Sequence, residues 1–397
     1  MSVTSPALGE ERASLRFIAL SAFLVSTVAL GIDMMLASLP EIGVALSPAD
    51  PARATLVMGS FFIALGVSTL FVGPLLDALG RRPVILGGLG LYMLGGFVSW
   101  TAPTLEVMLA GRALMGVGAA APRIGVQAII RDRFEGRKMA ATVSLVMMIF
   151  TLVPGIAPLL GAWIEALLGW RAVFAVFPIF GAVGLIWFAL QQPETLRTRR
   201  PFSPRSWGAQ IMACLRLPVF RRAAAIQLFV FASLYGFLTA GPAIFTERFG
   251  IGDLYHYLFG AASITGAFAS FVNARLVERL GMVRLLRASL VAYGLVVGLS
   301  LLGLVVGLGL PAFFVAMFSG FFVLGFVIGN AQALGLQPLP DAAGTGSATL
   351  QAVSTLGAGA LAIPIPLLFT GSAEAMVTAQ LLFGAVALWS ALLLTPD

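Results

Sequence analysis

The sequence has little charge and almost no cysteine or histidine. Of its 397 residues, 10% are charged and 59% are hydrophobic, whereas a soluble domain carries about 25% charged residues. A surface exposed to water cannot be assembled from this composition. The single cysteine, Cys214, excludes a disulfide framework, and the single histidine, His256, excludes a histidine cluster for a metal. No Gly-Lys-Ser/Thr phosphate loop occurs, so the sequence does not indicate that this chain binds and hydrolyses ATP.

Long apolar runs are abundant instead, and they do not alternate between polar and apolar residues. Runs of about 20 apolar residues are typical of membrane-spanning helices. The pattern predicts twelve spans, at about residues 15–39, 54–76, 83–103, 106–130, 139–163, 170–190, 223–246, 256–277, 282–308, 311–337, 344–369 and 373–394. We therefore expect an all-α integral membrane protein, in which twelve helices form two six-helix bundles.

One long polar segment divides the chain into halves that resemble each other. It predicts an N-terminal bundle at 1–190, a cytoplasmic linker at 191–222 and a C-terminal bundle at 223–397. Asp77 precedes Gly80 by three residues after the second span, and Glu278 precedes Gly281 in the same way after the eighth. From this repeated pattern we expect two structural repeats around a central pathway.

The basic residues lie on one side of the predicted spans. With the N-terminus inside, the inner loops and tails hold nineteen of the 24 Lys and Arg residues, and the outer loops hold Arg53, Arg171 and Arg248. This asymmetry predicts that both termini are cytoplasmic, and the basic excess then reflects topology rather than nucleic-acid binding. The first span is too long for a cleavable signal peptide, so we expect the chain to be integral from its first helix.

Three charged side chains interrupt the apolar spans: Asp33, Arg112 and Arg123. A charge at membrane depth costs about 2.5–3.5 kcal/mol even on lenient scales, so it usually has a task. Asp33 and Arg112 both lie about 9 Å below the outer boundary and are expected to share one cavity, with Arg123 about 16 Å deeper. A structural ion pair is the alternative for the first two, and a purely structural role is the alternative for Arg123.

Gly73-x-x-x-Asp77-x-x-Gly80-Arg81-Arg82-Pro83 resembles the inner-loop signature of the major facilitator superfamily. The resemblance implies a cytoplasmic gate formed by Gly73, Asp77, Gly80, Arg81 and Arg82. In that gate Asp77 would bind the helix end at 344–347, because a helix N-terminus attracts an anion. A simple positive-inside anchor is the alternative.

Two further segments resemble particular branches of this superfamily. Span five contains Pro154, Gly155, Pro158 and Gly161, similar to the proline-and-glycine signature of drug/proton antiporters. These residues predict a helix-five pivot, with small-residue packing as the alternative. The acidic segment 29–40 resembles the first helix of the bicyclomycin/chloramphenicol-resistance (Bcr/CflA) branch.

The resemblance implies a proton-coupled exporter of lipophilic small molecules in the bacterial inner membrane. Asp33 would carry the proton beside Arg112, with protons as the coupling ion and no cofactor, metal or nucleic acid. The expected partners are the substrate and the lipid bilayer, and monomers are usual. Candidate residues of the substrate cavity are Met34, Arg123, Gln127, Met147, Phe150, Tyr235, Asn330 and Gln332.

Other functions stay open at this stage. An uptake facilitator or proton symporter of a small metabolite is one alternative, and the antiport-like span five weighs against it. A membrane-embedded enzyme or lipid-handling protein is another, and it would need a catalytic constellation that the sequence does not offer at membrane depth. Asn330 and Gln332 would equally serve as hydrogen bonds between helices.

Overall fold

The computed structural model describes residues 14–134, 136–196, 198–199, 203–339, 343–362 and 372–395, and these contain α-helices and no strand. The helices are α1 (Leu15–Asp33), α2 (Leu39–Leu46), α3 (Leu56–Leu79), α4 (Arg81–Trp100), α5 (Leu105–Arg133), α6 (Gly136–Leu168), α7 (Trp170–Gln191), α8 (Pro204–Arg216), α9 (Pro218–Ala243), α10 (Tyr255–Leu280), α11 (Met282–Val305), α12 (Leu310–Leu336), α13 (Ala343–Ala362) and α14 (Ala373–Leu392). Short 3₁₀ turns at Pro51–Thr55 and Gly252–Leu254 and a π turn at Ile244–Arg248 accompany them.

Ten helices in the described residues are long and apolar enough to cross a membrane. They coincide with ten of the predicted spans, and α6 and α13 occupy the positions of predicted spans five and eleven. The remaining two helices, α2 and α8, are short and lie in an outer loop and in the linker. The expectation of an all-α multi-pass membrane protein is therefore confirmed, and the helix order is consistent with twelve spans.

The first span is shorter than predicted. Helix α1 ends at Asp33, residues 34–38 form turns, and α2 begins at Leu39. Pro40 explains part of this break, because a proline has no N–H for a helix and disfavours helical geometry in the residue before it. Asp33 is consequently the last residue of a helix, rather than a residue six positions inside one.

The two halves contact each other through α3 with α13 and through α6 with α10. We call the Leu56 end of α3 the outer end, following the predicted orientation. A Cβ atom at Gly66 would lie 2.6 Å from the Leu356 side chain, and a Cβ atom at Gly260 would lie 2.8 Å from the Gly155 carbonyl oxygen. These close contacts lie in the outer half of α3 and near the outer end of α10.

The echo between the two halves is present in the backbone. Gly80 joins α3 to α4 with φ of 109°, and Gly281 joins α10 to α11 with φ of 78°. Glycine adopts positive φ without the steric cost that a side chain brings. The same tight turn therefore closes corresponding helix pairs in both halves.

Candidate functional site

Arg112 is fully buried at the centre of the N-terminal helices. Its guanidinium donates to the Gly31 carbonyl at 2.6 Å and more weakly to the Val57 carbonyl at 3.4 Å. It also lies over the Phe61 ring, 4.6 Å from the centroid, and 5.8 Å from that of Phe177. The positive charge is thus stabilised by carbonyl dipoles and aromatic faces, and it joins α5 to α1 and α3.

Asp33 is 5% exposed and has no salt bridge in the described part of the chain. The sequence places Arg112 beside it, and Arg112 does reach the same helix, but it binds the carbonyl of Gly31, two residues away. The expected ion pair is therefore absent from this structure. The phenols of Tyr235 and Tyr255, on α9 and α10, lie within electrostatic range of the Asp33 carboxylate.

The prediction measured depth along an unbroken helix to Leu39, whereas Asp33 terminates α1. Its carboxylate lies within electrostatic range of the C-terminal half.

Arg123 and Tyr235 come together across the two halves. The half-buried Arg123 guanidinium lies within electrostatic range of the Tyr235 phenol. The Tyr235 ring stacks on Phe62 of α3 at 3.8 Å between centroids and lies nearly parallel to the Phe231 ring, 5.9 Å away. A charged and aromatic cluster therefore lines the boundary between the halves, close to Asp33.

The small residues of α5 serve helix packing. A side chain at Gly116 would collide with the Phe61 carbonyl of α3, and one at Gly118 would collide with the Tyr92 backbone of α4. Gln127 lies further along α5 and is half-buried. Gly116 therefore permits close approach of two helices, and it leaves no room for a cavity at that position.

The polar residues predicted on the C-terminal helices are bound to other helices. Asn330 donates to Asn273 of α10 at 2.7 Å, with both residues buried. Gln332 donates to Ser347 of α13 at 3.3 Å. This is the arrangement expected of helix–helix hydrogen bonds, and a substrate role for either residue stays a prediction.

Helix α6 is continuous through both of its prolines, Pro154 and Pro158. Gly155 faces Gly260 of α10, and Gly161 lies against the Met34 carbonyl of the turn that follows Asp33. The glycines thus hold α6 against the first helix and against the other half. A pivot in α6 stays a prediction. The side chains of Met147 and Phe150, two predicted cavity residues, lie outside the described residues.

The inner-loop motif forms a charged network within the N-terminal half. Arg81 is 4% exposed and binds Asp77 at 2.7 Å and Asp132 at 2.9 Å. Asp77 is therefore engaged by its neighbour in the motif. At the α13 end, Thr345 donates to Gln210 of α8 at 2.8 Å.

The other motif residues have separate surroundings. A Cβ atom at Gly73 would meet nothing within 4 Å. The Arg82 guanidinium donates to the Ala189 carbonyl of α7 at 2.8 Å. Gly80 makes the tight turn before α4. Whether these residues close the inner side stays a prediction.

Glu194 is a residue of this network that the sequence analysis did not single out. Its carboxylate accepts the backbone N–H groups of Arg81 at 3.0 Å and Arg82 at 3.1 Å, at the start of α4. Partial burial acts to raise the pKa of Glu194, but N–H donors of Leu196, Arg81, Arg82 and Thr195 hold that pKa below its ordinary value. An acidic residue directly after span six was the available signal, since helix N-termini attract carboxylates.

The apolar helices and these buried charges are typical of a multi-pass membrane transporter. The chain belongs to the Major Facilitator Superfamily, whose family model matches residues 19–362. The expected family resemblance is confirmed.

Individual proteins agree with this assignment. The chain is 28% identical over 351 residues to a bicyclomycin resistance protein homolog of Haemophilus influenzae, covering 87% of each chain. It is 29% identical to multidrug resistance protein D of Escherichia coli, covering 77% of each. The crystal structure of a D-xylose-proton symporter superposes with a TM-score of 0.74 at 14% identity, over 96% of this chain and 97% of the other, which shows the shared fold.

Proposed function

We propose that this protein is a proton-coupled exporter of lipophilic small molecules, with Asp33 as the proton-carrying residue. The burial of Asp33 without an ion pair carries the proposal. Each proton that binds or leaves changes the local charge by a full unit, with no salt-bridge partner to offset it. Protonation of such a group shifts the equilibrium between the inward-open and outward-open conformations, because the carboxylate is solvated differently in the two.

The position of Asp33 supports coupling to the other half of the molecule. Its electrostatic neighbours, Tyr235 and Tyr255, belong to α9 and α10, whereas Asp33 belongs to α1. Relative movement of the halves therefore changes the surroundings of the carboxylate. The Arg112 charge stays within the N-terminal half and helps to fix α1.

The substrate class follows from the surroundings of Asp33 and from the relatives. Met34 and Phe62 are buried in the hydrophobic core and Phe231 packs against it, and methionine and aromatic side chains adapt to varied lipophilic molecules. Two relatives are named for bicyclomycin resistance and for multidrug resistance. We place the protein in the bacterial inner membrane with both termini in the cytoplasm. The antiport-like span five and the two relatives named for resistance support outward transport.

The proposal is tested by Asp33→Asn, which keeps the shape of the side chain and removes its titration. In inverted vesicles with an imposed pH gradient, we expect wild-type protein to drive uptake of chloramphenicol or bicyclomycin. The variant is expected to lose the gradient-driven part, by at least tenfold, while the protein remains in the membrane. Asp50→Asn, at an exposed outer-loop carboxylate, is the matched control and should transport normally.

Two results would contradict the proposal. Normal gradient-driven transport by Asp33→Asn would remove Asp33 from the mechanism. Accumulation in right-side-out vesicles under an inward proton gradient would indicate symport and reverse the direction. Resistance of an export-deficient bacterium to the same compounds is the corresponding test in cells.

A further inference from the structure

The Tyr255 hydroxyl is buried without a hydrogen-bond partner. Tyr255 begins α10 and is 2% exposed, and its hydroxyl makes no hydrogen bond within the described residues. Among those residues it is the one buried side-chain oxygen or nitrogen of the C-terminal half in this situation. A hydroxyl that has left water without gaining another partner destabilises the conformation that holds it.

The ring of Tyr255 does not explain the hydroxyl. It packs among the rings of Phe237, Phe245 and Phe259, with centroid distances of 6.2, 5.4 and 6.0 Å. None of these side chains can accept a hydrogen bond in the usual sense. A phenylalanine would fill the same space and would leave no polar group unbonded, so the hydroxyl itself needs a role.

Asp33 is the acidic group that can use this hydroxyl. The Tyr255 phenol lies within electrostatic range of the Asp33 carboxylate. Asp33 ends α1, is 5% exposed and forms no salt bridge in the described part of the chain. A buried donor without an acceptor and a buried carboxylate without a cation therefore lie on opposite sides of the boundary between the halves.

Two groups of the N-terminal half lie on the Gly31 side of α1. The Arg112 guanidinium donates to the Gly31 carbonyl at 2.6 Å. A Cβ atom at Gly31 would lie 3.3 Å from the Tyr92 hydroxyl, which is also unbonded. Residues two positions apart on a helix face different sides. Neither group is therefore placed to serve the Asp33 carboxylate.

Other charged and titratable groups on the helices around α1 have different neighbours. On α6, Glu165 accepts a hydrogen bond from Ser38 at 2.7 Å. On α7, Arg171 donates at 3.0 Å to a carbonyl in the loop before α5. On α9, the Tyr235 phenol is in range of Asp33 but also of the Arg123 guanidinium. The unbonded donor opposite Asp33 is therefore Tyr255.

We propose that Tyr255 is a positioning residue for Asp33, whose hydroxyl donates to the ionised carboxylate when α10 comes closer to α1. A hydrogen bond to the charged form of a carboxyl group favours loss of its proton. The inference rests on the proposed function in taking Asp33 as the proton carrier. In that cycle Asp33 releases its proton to the inner side while Tyr255 is near, and takes up a proton from the outer side after α10 has moved away.

Tyr255→Phe tests the proposal, because it keeps the ring and removes the donor. Tyr257→Phe, at a tyrosine of the same helix that is 51% exposed, is the matched control. Protonation of Asp33 is followed in purified protein by the infrared C=O stretch of a protonated carboxyl group, which is assigned by its loss in Asp33→Asn. Titration of this band with pH gives a midpoint for each variant.

We expect Tyr255→Phe to bind the proton about tenfold more tightly, which moves the midpoint up by about one pH unit, with no change in Tyr257→Phe. An unchanged midpoint in Tyr255→Phe, or an equal shift in the control, would overturn the proposal.

Thermal unfolding provides a second readout. Tyr293→Phe removes a hydroxyl that is bonded to Ser233 at 2.7 Å, and it should lower the midpoint of unfolding by about 2 °C. Tyr255→Phe should leave that midpoint unchanged or raise it, since it removes an unbonded hydroxyl. An equal loss in the two variants would show that the Tyr255 hydroxyl already has a partner, and this too would overturn the proposal.

Neither measurement uses a drug or a pH gradient. A shifted band in a protein that exports no drug would leave the pairing of Tyr255 with Asp33 standing and reject the proposed substrate class. Normal export by Asp33→Asn together with the shift would reject only the proton-carrying role of Asp33.

Discussion

Arg112 illustrates how a buried charge is kept without a carboxylate. Its guanidinium spans from the Gly31 carbonyl of α1 to the Val57 carbonyl of α3 and lies against the Phe61 ring. A planar guanidinium makes several directed hydrogen bonds and stacks on aromatic rings, and an ammonium group does neither as well. The side chain is therefore a fixed structural centre of the N-terminal half, close to the residue proposed to carry the proton.

We expect Arg112→Lys to destabilise the protein by about 2 kcal/mol, because hydrogen bonds to a charged group contribute about 1.5–3 kcal/mol each. Arg53→Lys is the matched control, since Arg53 is 47% exposed and its ion pair with Glu106 spans 3.8 Å. The control should cost less than about 0.5 kcal/mol. Thermal unfolding in detergent measures both, and equal midpoints for the two variants would contradict the assignment.

At the scale of the element, α4 depends on a carboxylate from a distant part of the chain. Glu194 follows α7, yet it accepts the N–H groups of Arg81 and Arg82 at the first turn of α4. Thr195, the next residue, donates to Asp132, which in turn binds Arg81. The start of the linker thus fixes the charged inner-loop motif from outside it.

Glu194→Gln should weaken this helix start by about 1 kcal/mol, the usual value of an N-terminal cap. We expect faster hydrogen exchange at the amides of Arg81 and Arg82, detected by mass spectrometry of that peptide. Glu247→Gln, at an exposed glutamate, serves as the control and should leave this exchange unchanged.

The same cap predicts a pH dependence of known sign. The pKa of Glu194 is lowered in the folded protein, so its stabilisation is complete above the ordinary carboxyl pKa and is lost as pH falls through the lowered value. Protection of the two amides in wild type should decline in that acidic range, after correction for intrinsic exchange. If Glu194→Gln showed an equal decline, the carboxylate would not be its source.

At the scale of the whole molecule, the halves meet through close backbone contacts near the outer side. A Cβ atom at Gly260 would lie 2.8 Å from the Gly155 carbonyl oxygen, so a larger residue requires the helices to separate. Phe62 and Tyr235 close the same region with stacked rings. The outer part of the boundary between the halves is therefore closely packed.

Gly260→Val should therefore hold the outer side open and reduce transport at least tenfold without preventing folding. Outer-side accessibility is measured by labelling Tyr255→Cys with a membrane-impermeant thiol reagent, and it should increase. Gly87→Val is the control, because a Cβ atom there would meet nothing within 4 Å. Normal transport by Gly260→Val would show that the glycine contact does not matter for closure.

The sequence predicted the fold well, because apolar length and charge asymmetry are properties of single segments. It predicted the site less well. Asp33 and Arg112 were identified individually as buried charges, but the Arg112 guanidinium binds the Gly31 carbonyl, two residues from Asp33, and the choice between these two acceptors is not written in either residue. Asn330 and Gln332 were identified as polar groups, yet their hydrogen bonds were decided by neighbours far away in the sequence.

That the chain lies in a membrane, where most of its helices run and which charges are buried all follow from the order of its amino acids, because hydropathy acts locally and lipid allows few backbone solutions. Which groups meet depends on the folded arrangement: Arg112 meets the Gly31 carbonyl, Glu194 the start of α4, and Trp207 the Leu70 carbonyl. Such partners depend on distances of a few ångströms between distant segments, and hydropathy carries no information about them.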